Sequence, residues 1–255
     1  MSDIKENRTI FQICINLNDN IESLKKSRKR LLDLNPCWSY LYIRSQDQFD
    51  QIMIDNFKKS NDEFENNIYK LYSEIPNLIH GSSKTEKIHN LKEKERIRLI
   101  CALVSQTDAF RLGMLYKFGG LYLDLSSKFE MDIDSEFTYY NCCLIERKQR
   151  EIRSSLLYAK KNHPVIKKIL NNAIHRGLIE RESDQLFLAG PRCITQTIRD
   201  IPENKLVEYK TKIFDECILE KNRCWSMRGE WKKELHTPSK NKPNQKINSH
   251  WKFNY

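Results

Sequence analysis

The first part of the chain changes its hydrophobic spacing twice. Residues 9–15, TIFQICI, are apolar and β-branched, which predicts a buried strand. After a candidate N-cap at Asp19 or Asn20, apolar residues recur at helical spacing, namely Ile21, Leu24, Leu31 and Leu32. Residues 38–43, WSYLYI, predict a second strand. Strand, helix and strand in this order are typical of a βαβ unit with a parallel sheet.

The middle of the chain predicts helices that lead into short strands. Residues 46–75 have a charged, helical pattern, and a stronger helix is predicted from about Arg96 to Lys117. Gly119-Gly120 ends that helix because two glycines permit a tight turn. Short strands are predicted at 121–125 and 141–147.

The last third predicts two more helices and a corner. Residues 153–161 and 164–176 are the predicted helices, and Asn162-His163-Pro164 separates them. Proline at position 164 suits the first turn of a helix. Residues 186–192, LFLAGPR, predict a buried strand or turn that runs into a Gly-Pro corner.

The composition is that of an ordinary globular protein. The chain has 255 residues, of which 39% are hydrophobic, with 7 Gly and 7 Pro, so collagenous and low-complexity structures are excluded. We find no internal repeat and no interdomain linker. We therefore expect one α/β domain over residues 1–255, with a mixed, mostly parallel sheet flanked by helices. The charged helical stretch at about 46–100 is expected to be an insertion into this domain.

The formal net charge is +10, and much of it lies in a basic tail at about 221–255. There, nine lysines and arginines are opposed only by Glu230 and Glu234. Such a balance favours anionic partners, whether nucleic acid, acidic lipid headgroups or a small molecule with a diphosphate. A solubilising tail without a partner is the alternative.

Neither a membrane span nor a structural metal site is indicated. The apolar runs, such as LICALV at 99–104, are far shorter than the roughly 20 residues that cross a bilayer. The segment MSDIKENRTI lacks the apolar region of a secretory signal, so we expect a cytoplasmic protein, with peripheral membrane contact through the basic tail. Eight cysteines without a C-x-x-C pair are expected to be reduced thiols.

Residues 105–129 place three charged groups where they can meet. Asp108 and Arg111 are three residues apart on a predicted helix and so share a face. A buried strand after Gly119-Gly120 ends at Asp124, and ligands of open α/β sheets bind at that end of the strands. Two acids and a base would then meet in one polar pocket, which suits sugar hydroxyls beside a metal-bound diphosphate. Asp108 with Arg111 could also be an ordinary surface ion pair.

The same segment resembles the DXD-motif sugar-binding glycosyltransferases. That family includes initiation α-1,6-mannosyltransferases and capsular polysaccharide transferases and is related to the glucosyltransferase domains of clostridial toxins. Its pattern is roughly S/A-D-x-x-R-x-x-x-L-x-x-x-G-G-x-Y-x-D-x-D, and this chain supplies in register Asp108, Arg111, Leu115, Gly119, Gly120, Tyr122 and Asp124. Weaker similarities follow in the family's order at Asn162-His163-Pro164, at LAGPRCIT (Gly190, Pro191 and Thr195) and at INSHWKF, with His250-Trp251.

The resemblance implies a GT-A fold and transfer from a UDP- or GDP-sugar donor, with retention of anomeric configuration. The acceptor hydroxyl would belong to a glycan, a lipid-linked glycan or a protein. Asp108 and Arg111 would bind the donor sugar, and Asp124 would be the catalytic residue, in contact with the ribose or a metal-bound water. The donor site would be completed by Gly119, Gly120, Tyr122 and Trp251. The metal, Mn²⁺ or Mg²⁺, would be held by Asp124, Ser126 and His250.

The chain departs from the family at the second acid of the motif, where it has Ser126. A hydroxyl is a poorer ligand for a hard divalent ion than a carboxylate. Three interpretations stay open. In the first, Ser126 is a weak metal ligand, supplemented by the diphosphate and His250. In the second, basic residues of the tail replace most of the metal's role. In the third, the site binds the donor without efficient turnover.

Two other functions compete with an active transferase. The first is a sugar-nucleotide-binding or scaffold subunit of a glycan-assembly complex, which the missing second acid would explain. The second is nucleic-acid binding, which only the basic tail suggests. No RNP aromatic pattern, paired-cysteine zinc motif or helix-turn-helix signature accompanies the tail, so nucleic acid is not the expected partner.

Overall fold

The computed structural model describes residues 4–14, 22–81, 91–125, 127–147, 150–221 and 225–226. Six strands form one sheet, and they are β1 (Thr9–Ile13), β2 (Ser39–Ile43), β3 (Gly120–Leu123), β5 (Cys142–Glu146), β6 (Ile152–Ala159) and β7 (Thr211–Asp215). A separate two-stranded sheet pairs β4 (Lys128–Phe129) with β8 (Trp225–Ser226). The helices between them are α1 (Glu22–Leu34), α2 (Gln46–Met53), α3 (Glu63–Gly81), α4 (Leu91–Phe118), α5 (Ile133–Glu136), α6 (Pro164–Ile174), α7 (Gln185–Leu188), α8 (Pro191–Arg199), α9 (Glu203–Glu208) and α10 (Glu216–Lys221).

The six-stranded sheet is mixed and mostly parallel, as predicted. Its order is β2-β1-β3-β6-β5-β7, and β6 alone runs antiparallel to its neighbours within it. The predicted βαβ unit is present, because β1 pairs with β2 in parallel and α1 connects them. The C-terminal ends of β1, β2, β3, β5 and β7 therefore meet at one edge, where the N-terminal end of β6 also lies.

Both faces of the sheet are covered by hydrophobic side chains. On one face, Phe11 and Tyr122 belong to a large core shared with α2, α3, α4, α6 and α8. On the other, Ile10, Leu121 and Leu123 pack in a second core. Burial on both faces explains why β3 is uniformly buried instead of alternating between apolar and polar positions.

The charged stretch at 46–75 is helical, as predicted, but it is divided. A π-helical turn, Ile54–Lys58, follows α2 directly, and α3 begins after a break at which Asp62 Oδ1 accepts a hydrogen bond from Phe64 N. A second π-helical turn, His175–Ile179, follows α6. Within the described residues no helix is both long and apolar enough to cross a membrane.

Two predicted elements were wrong. Residues 153–161 were predicted as a helix, but 152–159 form the buried strand β6. Residues 186–192 were predicted as a strand or turn, but they lie in α7 and the start of α8. Short, nearly continuous apolar runs have no clear period, so neighbouring elements decide their structure.

The turn from α4 into β3 depends on glycine at both positions. Gly119 N donates to the Leu115 carbonyl oxygen over 3.0 Å and ends the helix. Gly119 and Gly120 have φ values of +68° and +111°, which L-residues rarely adopt. A Cβ at position 120 would lie 2.3 Å from the carbonyl oxygen of Thr9. The chain thus enters β3 along a path that only glycine permits.

Gly120→Ala is therefore expected to lower the free energy of unfolding by about 2–4 kcal/mol. Gly113→Ala is the matched control, because Gly113 lies in helical backbone and its added Cβ would meet only side chains, at 3.1 Å from Ile68 Cγ2 and 3.2 Å from Phe57 Cζ. We expect that control to change stability by less than about 1 kcal/mol, since better helix propensity offsets mild crowding. Urea unfolding of both variants tests this, and equal costs would contradict it.

Candidate active site

One helix and one strand deliver the predicted site residues to the sheet edge. Asp108 and Arg111 lie on α4, which packs against β3, and Tyr122 lies in β3. Asp124 follows the strand directly, with its amide held by the Ser155 carbonyl oxygen of β6 at 2.7 Å. Residues predicted from spacing to share a pocket are thus brought together.

The guanidinium of Arg111 is the centre of the cluster. Its Nη2 lies 3.2 Å from Asp108 Oδ1, and its Nη1 lies 3.6 Å from Asp124 Oδ1. Its Cζ lies 4.2 Å from the centroid of the Tyr122 ring, a cation–π contact. Tyr122 in turn donates its hydroxyl hydrogen to Asp124 Oδ1 over 2.7 Å. One cation therefore orients two carboxylates and a phenol.

The cluster is buried at one end and open at the other. The side chains of Asp108 and Arg111 are 4% and 6% exposed, whereas the side chain of Asp124 is 31% exposed. This pair is therefore not the ordinary surface ion pair considered as the alternative. Asp108 Oδ1 accepts no hydrogen bond from any described group, although the Arg111 cation is close to it. A buried carboxylate oxygen with unused acceptor capacity beside a half-buried acid is a place for a hydroxyl-rich ligand.

Ser154 completes the cluster, although it was not among the residues predicted from the sequence. Consecutive residues of β5, Leu144 and Ile145, pair with Leu157 and Arg153 of β6, so a bulge sets residues 154–156 apart. The bulge turns Ser154 toward α4, where its carbonyl oxygen accepts a hydrogen bond from Arg111 Nη1 and its side chain hydrogen-bonds to Asp108. The available signal was the pair of serines in the apolar stretch IRSSLLYA.

Burial and neighbouring charges shift the protonation equilibria of these groups. Burial raises the pKa of the Asp108 carboxyl to about 7, against the opposing effect of Arg111, and the charge of Asp124 adds to the rise. Burial would lower the pKa of Arg111, but Tyr122, Asp108 and Asp124 together hold it above its usual value. Burial also raises the pKa of Tyr122 well above 10. Two acids thus share one permanent cation.

The structure assigns a backbone role to both glycines of the predicted donor site. Gly119 and Gly120 form the turn that directs β3 under Arg111, and neither offers a side chain. Asp124 begins a tight turn in which its carbonyl oxygen accepts a hydrogen bond from Ser127 N over 2.9 Å. The predicted residues Ser126, His250 and Trp251 lie outside the described residues, as does the basic tail apart from Lys221 and 225–226.

The weaker LAGPRCIT motif lies beside the cluster. Gly190 and Pro191 begin α8, and the Thr195 hydroxyl accepts a hydrogen bond from Ile152 N at the start of β6 over 2.8 Å. Cys193, on the same helix, is close enough to Asp108 for that charge to affect its thiol.

Comparison with known proteins agrees with this geometry. Residues 21–141 match the model of the family described as "Glycosyltransferase sugar-binding region containing DXD motif". No curated protein matches the chain.

Solved structures with the same fold include the PaToxG glycosyltransferase, at 18% identity and a TM-score of 0.50, over 81% of this chain and 75% of that one. The ligand-free glycosyltransferase domain of the YGT toxin matches at 10% identity and a TM-score of 0.44, over 83% of this chain and 80% of that one. The UDP-bound form of the same domain matches at 9% identity and a TM-score of 0.43, over 89% of this chain and 84% of that one. The similarity to the PaToxG glycosyltransferase concerns the fold alone, and by it the predicted GT-A fold is confirmed.

Proposed function

We propose that this chain, whose residues 21–141 match the DXD-type sugar-binding region of glycosyltransferases, transfers a sugar from a nucleoside-diphosphate donor to an acceptor hydroxyl. The donor is a UDP- or GDP-sugar, and the anomeric configuration is retained. The donor site is the cluster of Asp108, Arg111, Tyr122 and Asp124. The acceptor is a glycan, a lipid-linked glycan or a protein.

The observation that carries this proposal is the unused acceptor capacity of Asp108 next to Arg111. Asp108 Oδ1 is buried and accepts no hydrogen bond within the described part of the chain. This oxygen is held by the Arg111 cation at 3.2 Å but keeps a lone pair that a sugar hydroxyl would use on binding. Asp124, more exposed than its two partners, is the group that meets the rest of the donor.

Each residue of the cluster then has a separate task. Asp108 accepts a hydrogen bond from a donor sugar hydroxyl, and Arg111 holds both acids in place while offering its remaining N–H groups to the sugar. Tyr122 fixes the rotamer of Asp124 through its hydroxyl. Gly119 and Gly120 lie at the opposite edge of the sheet, where they turn the chain from α4 into β3, so they act on the donor site only through the path of the backbone. A preorganised cluster of this kind need not reorganise when charge develops at the anomeric carbon.

A divalent ion is part of the proposal, with Asp124 as its protein ligand. Within the described residues no group of three His, Cys, Asp or Glu side chains could hold a metal. One half-buried carboxylate nevertheless fits Mg²⁺ or Mn²⁺, because such ions are commonly held by one or two carboxylates and the phosphates of the substrate. When bound, the ion would neutralise the leaving diphosphate. Ser126, His250 and, over the donor, Trp251 would complete the site.

The test is a panel of UDP- and GDP-sugars, assayed for binding and hydrolysis with Mn²⁺, with Mg²⁺ and with EDTA. We expect one donor to turn over, with metal stimulation, and its product to keep the anomeric configuration by NMR. Binding of a donor without turnover under any metal, even with mixed glycan acceptors, would favour the scaffold function and implicate Ser126. Binding of no donor would overturn the proposed site.

A cytoplasmic location and peripheral membrane contact are also proposed, from the basic tail at 221–255. Its lysines and arginines would attract anionic lipids at low ionic strength. Cosedimentation of the full chain with anionic and neutral vesicles tests this contact. Equal binding to both vesicle types would contradict it.

The raised pKa of Asp108 predicts a pH-dependent donor affinity. As the pH falls through about 7, protonation of Asp108 replaces a charged acceptor with a neutral one. Hydrogen bonds to charged groups are stronger by about 1 kcal/mol, so the KM for donor should rise roughly fivefold. Asp108→Asn should abolish this pH step and have at pH 8 the KM of the wild type at low pH. A pH step that persists in the variant would contradict the assignment.

The same shift has a defined effect on stability. The folded protein holds the Asp108 proton more tightly than the unfolded chain, in which an aspartate titrates near 3.8. The resulting contribution to stability is complete below about pH 3.8 and is lost as the pH rises through about 7.

A further inference from the structure

A cleft with three arginines opens beside the proposed donor site. Its volume is about 480 Å³, and its lining includes Arg147, Glu151, Phe187, Arg192, Thr195 and Arg199. Arg147 and Glu151 flank the turn between β5 and β6, whereas the other residues lie on α7 and α8. This volume is in the range of small-molecule sites, about 300–1,000 Å³.

The cleft lies at the same sheet edge and on the same face as the donor cluster. Ile152 N, which the Thr195 hydroxyl holds, is two residues from Ser154, which contacts Arg111 and Asp108. Two residues of strand span about 7 Å. A molecule in the cleft could therefore present a hydroxyl to a sugar held at Asp108.

The positive charge of the three arginines indicates that the cleft binds an anionic ligand. Arg192, Thr195 and Arg199 have i, i+3 and i+7 spacing, so they form one polar stripe along α8. None of the three cleft arginines forms an ion pair within the described residues, and Glu151 is the single carboxylate in the lining. Arg199 Nη2 donates to the Arg150 carbonyl oxygen over 3.2 Å, which holds it toward the turn. Guanidinium groups without an ion-pair partner, two of which have contacts that orient them, bind phosphate or carboxylate.

The apolar part of the lining favours a sugar over a bare ion. The ring of Phe187 is half-buried, and the Arg192 Cζ lies 5.1 Å from its centroid. An aromatic ring and an arginine stripe together offer one surface to the apolar face of a sugar ring and another to an anionic substituent.

We propose that this cleft is the acceptor site and that the acceptor is a sugar bearing a phosphate or carboxylate group. The inference rests on the proposed glycosyl transfer and names the acceptor class of that same reaction. The anion is held by the arginines, so that a hydroxyl of the same molecule faces the donor cluster.

The test measures binding of three probes to the full chain without donor: glucose, glucose 6-phosphate and glucuronic acid. Saturation-transfer NMR at low ionic strength should detect one or both anionic probes and not glucose. The cleft variant is Arg192→Gln with Arg199→Gln, both exposed in the wild type. It should weaken probe binding by about tenfold or more, as expected for lost charge-assisted hydrogen bonds. Which anionic probe binds better distinguishes phosphate from carboxylate as the recognised group.

The matched control is Lys5→Gln with Lys160→Gln, which removes the same charge at the opposite edge of the sheet, before β1 and after β6. Probe binding should survive in this control. Failure of both anionic probes to bind would overturn the proposal. An equal loss of probe binding in the control variant would overturn it as well. So would displacement of the probe by UDP, because that result would assign the cleft to the donor diphosphate. The binding assay contains no donor, so its result can be interpreted independently of turnover. If no donor of the panel turns over, the proposed function is contradicted, but binding of the anionic probes is still tested.

Discussion

Replacing Asp124 with asparagine is expected to lower the turnover number by about 100-fold or more, while the chain stays folded. Asp124 is the more exposed acid of the cluster and the one placed to act on the donor and its metal ion. Asparagine keeps an oxygen that can accept the Tyr122 hydroxyl hydrogen, so the local structure should survive. What is lost is the negative charge. Stability should therefore change by less than about 1 kcal/mol.

The measurement is the rate of donor hydrolysis at saturating donor, together with urea unfolding of the same preparation. Asp33→Asn is the matched control, because Asp33 is exposed on α1. It should keep the wild-type rate. Turnover of Asp124→Asn within about threefold of the control would show that the catalytic acid has been misplaced.

The second large effect is expected from Arg111→Met, which should lower the free energy of unfolding by about 3–5 kcal/mol at pH 8. The arginine is the shared cation of Asp108 and Asp124, and its removal leaves a carboxylate buried without a counter-charge. Its hydrogen bonds to the carbonyl oxygens of Ser154 and Thr107 are lost as well. The loss of unfolding free energy relative to the wild type should become smaller as the pH falls, because Asp108 without its cation becomes neutral more readily.

Arg181→Met is the matched control for this variant. Arg181 also pairs with a carboxylate, at 2.6 Å from Glu74 Oε1, but its side chain is 54% exposed. Its loss should cost about 1 kcal/mol or less. Adding Asp108→Asn to Arg111→Met should restore part of the stability, since the buried charge is then gone. Equal costs for the two arginine variants would contradict a central role of the Arg111 network.

The candidate site could be predicted in part because its residues are close in sequence. Asp108 and Arg111 share a helix face by spacing alone, and Gly119-Gly120 reverses the chain so that Tyr122 and Asp124 return beneath them. Residues 9–43 similarly predicted a βαβ unit that is present. These inferences depend on local geometry, which a short stretch of sequence contains.

The missed parts depend on contacts between distant residues. Ser154 reaches Asp108 because of a bulge in β6, and β6 itself was predicted as a helix. An apolar run such as LLYA suits a buried helix as well as a strand between two sheet neighbours, and only pairing with β3 and β5 decides. The sequence by itself therefore determined which acids and which base form the cluster. Tertiary packing alone decided that Asp108 and Arg111 are buried and that Asp124 is more exposed. It also decided that the arginines of α8 lie beside this cluster. Burial and proximity depend on elements that are far apart in the chain, so a short stretch of sequence does not contain them.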